Sequence, residues 1–363
     1  MSERKLVFVV PGDLGSLTGG YGYDRQIIAG LRATGWAVDV LAPDAGSLWS
    51  DANTRAAAAQ RIAAIPDGMR VVVDGLAFGV MPEVAQRHAA RLRWLALVHH
   101  PLALETGLSP QQMRALFDSE RRALAAARGV IVTSHATARE LTRYGVAAQN
   151  VHVVTPGTDP APLACGSSAH PASGGLSLLC VAALIPRKGH TVLIEALAGL
   201  QDRVWTLHCV GSTTRHPDTA NAVRSAIAAR GLTERVRLHG EVPDTTLQAL
   251  YGRADAFVLP TFFEGYGMVL AEALARGLPV VSTTAGAIPD TVPSDAGILV
   301  PPGDALALRA ALAALFDDPA TRARVAAGAQ AARSALPIWP QAAARFAAAL
   351  DALDVKHEAG AVR

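Results

Sequence analysis

The sequence is short of charge imbalance, cysteine and long apolar runs, and each absence removes a class of function. Lys and Arg total 33 against 31 Asp and Glu, a net charge of +2. That is too small for the basic footprint of a nucleic-acid or anionic-membrane binder. Three cysteines, Cys165, Cys180 and Cys209, show neither metal-ligand spacing nor a disulfide framework, so a reducing cytoplasm fits best. The opening run Leu6-Val7-Phe8-Val9-Val10 stops after five residues at Pro11-Gly12, too short for a signal-peptide core or a membrane helix. No transmembrane segment is expected, and a peripheral membrane contact through a surface helix stays compatible. No repeat recurs at the scale of about 20–50 residues. What the chain has is 50% hydrophobic residues over 363 positions, enough for about two cores at roughly 150 residues per domain.

Short β-branched apolar runs alternate with Ala- and Leu-rich stretches, the βαβ rhythm of a parallel sheet. The first half reads as strands at 5–10, 37–41, 70–74, 94–98, 129–133 and 151–154, with helices at 24–34, 53–65, 110–127 and 136–144. Residues 160–175, rich in Pro, Gly, Ser and Ala, read as a linker. The rhythm then restarts with strands at 176–182, 204–210, 235–239, 255–259, 279–282 and 297–300. Its helices fall near 190–200, 218–230, 245–252, 267–276 and 304–316. The expected fold is α/β: two Rossmann-like doubly wound domains, 1–165 and 176–335, facing across a cleft. In such sheets ligands sit beyond the carboxyl ends of the strands. Residues 319–352 read as helical, interrupted at Trp339 and Pro340, and the tail 336–363 has room to pack back on the first domain.

The most informative stretch runs from Phe257 to Ser282, as strand, glycine-containing loop, helix and strand. Gly265 and Gly267 let backbone amides approach a ligand, and the helix start that follows favours an anion at Gly267, Met268 and Val269. Glu264 and Glu272 are then better suited to hydroxyls than to the anion, Glu272 to a ribose diol and Glu264 to a sugar. The plainer alternative makes Glu264 a helix-start stabiliser and Glu272 a solvated surface residue.

Glu264-Gly-Tyr266-Gly-Met-Val-Leu-Ala-Glu272 resembles the paired-glutamate motif of retaining glycosyltransferases of family 4, which have the two-domain GT-B architecture. Pro186-Arg187-Lys188-Gly-His190 is similar to that family's diphosphate-binding turn, and Val210-Gly211, Leu238–Pro243, Ala254–Pro260 and Ala296–Asp304 follow in the family's order. In the first half, the glycine loop at 18–22 and Val154–Asp159 are similar too. The resemblance implies a metal-independent, retaining transfer of sugar from a nucleotide diphosphate sugar to a sugar, lipid-linked sugar or small-molecule acceptor. It implies no cofactor beyond the donor. It assigns the donor to Gly20, Arg187, Lys188, Gly211, Gly265, Tyr266, Gly267, Met268, Val269 and Glu272. Catalytic roles fall to His100, Glu264 and Lys188, whose ammonium would neutralise the leaving diphosphate.

The family often carries an Arg five residues before this Lys, where the chain has Ala183. Either Arg187 supplies the second positive charge or the diphosphate is held differently. His99 and His100 end the apolar strand 94–98, at the end that faces ligand in such sheets. Alignment favours His100 near the sugar and leaves His99 with Tyr21, Asp24 and Glu105 on the acceptor side, each with a plain surface-polar alternative. No Asp or Glu stands at a spacing that would make the two histidines a metal site.

Other chemistries fail on their motifs. Arg25 occupies the third small position of a dinucleotide fingerprint starting at Gly20, and Ser134 lacks the flanking glycines of a nucleophile elbow. Ser134 or Thr137 reads as a helix cap. A nucleotide-sugar epimerase or hydrolase on the same scaffold, or an inactive nucleotide-sugar-binding protein, are the rival functions.

Overall fold

The computed structural model describes residues 4–42, 52–167 and 175–360, with side chains described as far as residue 352. Two compact units form: residues 1–157 with 337–363, and residues 158–336.

The first unit holds a six-stranded sheet of β1 (Lys5–Val9), β2 (Ala37–Leu41), β3 (Arg70–Asp74), β4 (Arg93–Val98), β5 (Gly129–Val132) and β6 (Val151–Val153). Its order is β2-β1-β3-β4-β5-β6, and every pairing is parallel. A parallel sheet covered on both faces demands continuous apolar strands, which is why β3 is buried at every position.

The second unit repeats the plan with β7 (Leu176–Val181), β8 (Trp205–Val210), β9 (Val236–Gly240), β10 (Ala256–Leu259), β11 (Val280–Thr283) and β12 (Gly297–Val300). The order is β12-β11-β10-β7-β8-β9, again all parallel. One core unites its helices with these strands, from Leu178 and Leu207 to Leu312 and Val325. The scattered cysteines hide one pairing, since Cys180 and Cys209 stand opposite each other across β7 and β8 as buried free thiols.

Every expected strand is present within a residue or two of its expected ends, but three connecting readings change. The first helix starts at Gly19, not near Asp24, and runs Gly19–Ala33. Thr18 caps it, its side chain accepting from the Tyr21 amide, so the supposed glycine loop is the helix's first turn. The boundary between units falls at 157/158 rather than in a 160–175 linker, of which 168–174 lie outside the described residues. Residues 164–167 are tied into the second unit: Ala164 N donates to Arg276 O (2.9 Å), Cys165 N to Gly252 O (2.8 Å) and Ser167 N to Asp255 Oδ1 (3.1 Å). Composition hides backbone bonds of this kind. Trp339 and Pro340 begin a helix, Trp339–Gly360, instead of interrupting one, because the first turn has no need of a proline amide. That helix packs on Gly19–Ala33 at Gly30, where a Cβ would collide with Ala343.

Candidate active site

In the second unit, β7 pairs with β8 on one side and β10 on the other, so the carboxyl ends of β7 and β10 flank a topological switch point. The loop after β7 carries Pro186–Gly189, and the loop after β10 carries Pro260–Gly267. They are stitched together. Phe262 N and Thr261 Oγ1 both donate to the Arg187 carbonyl, at 2.7 and 2.9 Å. Gly189, at φ +68°, lies so close that a Cβ would strike the Pro260 carbonyl oxygen.

This stitching brings Lys188 Nζ to 2.6 Å from Glu264 Oε1. Arg187 Nη1 stands 3.7 Å from the same oxygen and donates to Phe263 O at 2.8 Å. Glu264 is 7% exposed. Burial pushes its carboxyl up, but the two cations outweigh burial and hold it below the ordinary value. For Lys188 burial wins, and its ammonium is held below the usual lysine range despite Glu264. Two cations over one carboxylate leave a net positive cluster. The segment after β11 fixes the loop from behind, with Ala287 N on Glu264 O (2.9 Å) and Thr291 Oγ1 on Tyr266 O (2.7 Å).

Beside this cluster the helix Met268–Ala275 starts at Gly267, whose φ of +87° suits glycine and which offers no capping side chain. The first amides, Met268 and Val269, therefore have no partner within the helix, the arrangement that binds anions. Glu272 lies further along the helix. It is half-buried, and the Tyr251 hydroxyl donates to its Oε2 at 3.1 Å. Burial raises its carboxyl above the ordinary range while Tyr251 and Arg276 oppose. Glu272 is thus not the solvated surface residue of the plainer reading. Gly211 closes the end of β8 on β9, its amide donating to Gly240 O at 2.8 Å.

In the first unit, β1 lies between β2 and β3, which puts the switch point at the carboxyl ends of β1 and β3. Asp74 ends β3, His99 follows β4, and Asp24 projects from the helix after β1. His99 Nε2 stands 3.2 Å from Asp24 Oδ1 and 3.3 Å from Asp74 Oδ2. Burial works to lower His99, but the carboxylates lift it to about 10; burial raises Asp24 to about 7 against the pull of His99.

Two sequence readings are corrected here. Asp24 is fully buried, not a surface residue, and two aspartates far from His99 in sequence do converge on it, Asp74 from the neighbouring strand and Asp24 from the helix Gly19–Ala33. Asp74 escaped notice although a charged residue closing an apolar strand is a usable signal. Gly20 faces His99, with its Cβ position 3.4 Å from His99 Cδ2, and Tyr21 N donates to Thr18 Oγ1. His100 Nε2 lies 3.5 Å from Glu105 Oε2. Ser134 caps the helix His135–Leu141.

Among the described residues, no helix is long and apolar enough to cross a membrane. Residues 73–162 match the family model described as Glycosyltransferase Family 4, and residues 175–318 match glycosyl transferases group 1. The chain is 33% identical over 239 residues to D-inositol 3-phosphate glycosyltransferase of Xylanimonas cellulosilytica, covering 62% of this chain and 57% of that one. It is 28% identical over 243 residues to MMP alpha-(1->4)-mannosyltransferase of Mycolicibacterium hassiacum, with 62% and 57% covered. The chain thus spans little over half the length of the curated relatives it matches. Among solved structures, sucrose-phosphate synthase from Thermosynechococcus elongatus superposes with TM-score 0.83 at 23% identity, over 97% of this chain and all of that one. Anabaena HepE in complex with UDP and glucose gives 0.75 at 21% identity, over 95% and 99%. The chain carries a Glycosyltransferase Family 4 domain followed by a glycosyl transferases group 1 domain, and its two sheets are those of the GT-B fold.

Proposed function

We propose that this protein is a retaining glycosyltransferase that takes sugar from a nucleoside diphosphate donor to a hydroxyl acceptor. The observation that carries the reading is the Lys188–Arg187–Glu264 cluster beside the uncapped start of Met268–Ala275, at the β7/β10 switch point. The diphosphate takes the amides of Met268 and Val269 and draws Lys188 and Arg187 toward itself. Charge that develops on the leaving phosphate is then met by preorganised cations, without a metal or cofactor. As Lys188 turns to phosphate, Glu264 is released to accept from a sugar hydroxyl. Glu272, held by Tyr251, accepts from the ribose diol. The acceptor attacks on the face the diphosphate leaves, which retains configuration at the reacting carbon.

HepE was solved with UDP and glucose, and several relatives are named for inositol 3-phosphate, so UDP-sugars and inositol phosphates are the first pair to try. The test mixes UDP-, GDP- and ADP-sugars with polyol and sugar acceptors, follows nucleoside diphosphate release, and assigns the product anomer by NMR. Acceptor-dependent release with an unchanged anomer is expected. Donor consumption without acceptor would favour a hydrolase or epimerase, and failure of every nucleoside diphosphate to bind would overturn the reading.

A further inference from the structure

Glu272 differs from Glu264 in the company its carboxylate keeps. Glu264 is held by two cations. Among the described residues, the hydrogen bond to the Glu272 carboxylate comes instead from a neutral group, the Tyr251 hydroxyl, at 3.1 Å from Oε2. A cation is close by but committed elsewhere. Arg276, one turn further along the same helix, donates to the Glu272 carbonyl at 2.7 Å and to Gln248 Oε1 at 2.5 Å. Its guanidinium lies over the Tyr251 ring, 4.1 Å from the centroid. An ion pair with Arg276 would compete with hydroxyl donors for the carboxylate. The Tyr251 hydroxyl engages one oxygen and leaves Oε1 with its acceptor capacity.

The hydroxyl is itself held in place. Tyr251 is fully buried on the helix Asp244–Arg253, and its ring stacks on Phe257 of β10 at 6.1 Å between centroids and 11° between planes. Packing against Phe257 and Arg276 leaves the ring no room to follow the glutamate, so the glutamate is fixed by the ring. A helical glutamate otherwise samples many rotamers, and ordering them only when a ligand arrives weakens binding. Pinning one oxygen beforehand removes that cost and aims the other.

We infer that Tyr251 and Arg276 are positioning residues of the nucleotide site: Tyr251 holds Glu272 Oε2 so that Oε1 accepts from the donor's ribose, and Arg276 holds both the Tyr251 ring and the Glu272 carbonyl. The inference rests on Glu272 as the ribose acceptor. It makes the site selective for ribonucleotides over their 2′-deoxy counterparts, because the second oxygen is aimed at the diol before binding. The same contact governs charge. Burial raises the Glu272 carboxyl, as do Asp159 and Asp244, while Tyr251 and Arg276 pull it down. Loss of the hydroxyl therefore moves protonation of Glu272 to higher pH.

The full-length parent, Tyr251→Phe, Glu272→Gln and the double variant are titrated calorimetrically with UDP, GDP and ADP and with the 2′-deoxy form of each. Tyr251→Phe keeps the ring that meets Phe257 and Arg276 and removes one oxygen atom. It should weaken the ribonucleotide by about threefold to tenfold, the worth of one ordinary hydrogen bond, and leave the deoxy form within about twofold. The double variant should bind as Glu272→Gln does, because Tyr251 acts through the carboxylate. The ribo-to-deoxy affinity ratio, in which titration of the phosphates cancels, should begin to fall at higher pH in Tyr251→Phe than in the parent. Arg276→Lys keeps the charge without the planar stack and should reproduce part of the loss. Equal losses for ribo- and deoxynucleotide, an unmoved pH profile, or additive losses in the double variant would each overturn the positioning role. A preference for ribose that survives Glu272→Gln would overturn the ribose role of Glu272 itself. Loss of the preference in Glu272→Gln with its retention in Tyr251→Phe would overturn the positioning alone.

Discussion

Replacing Lys188 with Met tests the centre of the proposed donor site. The change removes an ammonium 2.6 Å from Glu264 and strands a carboxylate whose side chain is 8% exposed. Removing one partner of a buried ion pair costs about 3–5 kcal/mol. Arg187 remains 3.7 Å away, so the low end, about 3 kcal/mol, applies. For a cooperative unit of ~150–250 residues, that lowers Tm by about 6–12 °C. Turnover should fall on the order of 10²-fold, the usual loss when one preorganised charge partner of a transition state is deleted. The double variant Lys188→Met/Glu264→Gln separates the two effects. Removing both charges should recover most of the lost stability and none of the lost turnover. Calorimetry and donor-turnover assays on the four proteins complete a double-mutant cycle. The ion-pair reasoning fails if Lys188→Met melts with the parent, or if the double variant is no more stable than the single. Because Glu264 is held below its ordinary 4.5, the pair's contribution is whole above that pH and is lost as pH falls through the lowered value.

Gly189→Ala should cost at least as much as a strained left-handed residue, about 1–3 kcal/mol. Its Cβ meets the Pro260 carbonyl oxygen at a φ of +68°, and a melting temperature equal to the parent's would mean the two loops are not stitched as described. Glu272→Gln should weaken nucleotide binding by about tenfold, the worth of a charge-assisted hydrogen bond of ~1.5 kcal/mol, with little effect on melting. Since burial holds Glu272 above 4.5, nucleotide affinity measured by calorimetry should fall on acidification before an ordinary carboxylate would titrate. Glu120 is 1% exposed, accepts from Leu102 N at 2.9 Å, and is lifted by burial to about 8. The folded state therefore keeps a proton that the unfolded chain releases near ~4.3, and this contribution to stability declines between those values as pH rises. Glu120→Gln should flatten the loss of Tm between about pH 5 and 8; parallel profiles for the two proteins would contradict the assignment.

The strands were legible because a buried parallel strand leaves a short, nearly continuous apolar run, as in Val71-Val72-Val73 or Phe257-Val258-Leu259. The Lys188–Glu264 cluster was legible for a related reason. Lys188 and Glu264 follow strands whose carboxyl ends meet at a switch point, so their positions reflect the topology as well as the motif. What stayed hidden is what sequence separates and the sheet joins. Asp24, Asp74 and His99 sit on three different elements, and nothing in their spacing announces that β1, β3 and β4 are neighbours. The start of the first helix was misplaced because glycine reads as loop. Thr18 at its N-cap, three residues before the Tyr21 amide it accepts from, was the overlooked signal.

Each unit solves the same electrostatic problem with opposite sign. At the switch point of the second unit, Lys188 and Arg187 surround one carboxylate and leave a positive surplus, the complement of a diphosphate. At the switch point of the first, Asp24 and Asp74 surround one imidazole, and burial lifts Asp24 to about 7, so that a proton held between the carboxyls removes the negative surplus when His99 is protonated. The parallel sheet brings this about, because loops leaving adjacent strands at their carboxyl ends converge. A buried surplus of either sign is costly unless a ligand of opposite charge offsets it. The positive cluster has its counter-ion in the proposed donor. The first unit's cluster needs none, because a proton on His99 and one shared between Asp24 and Asp74 balance its charge within the fold.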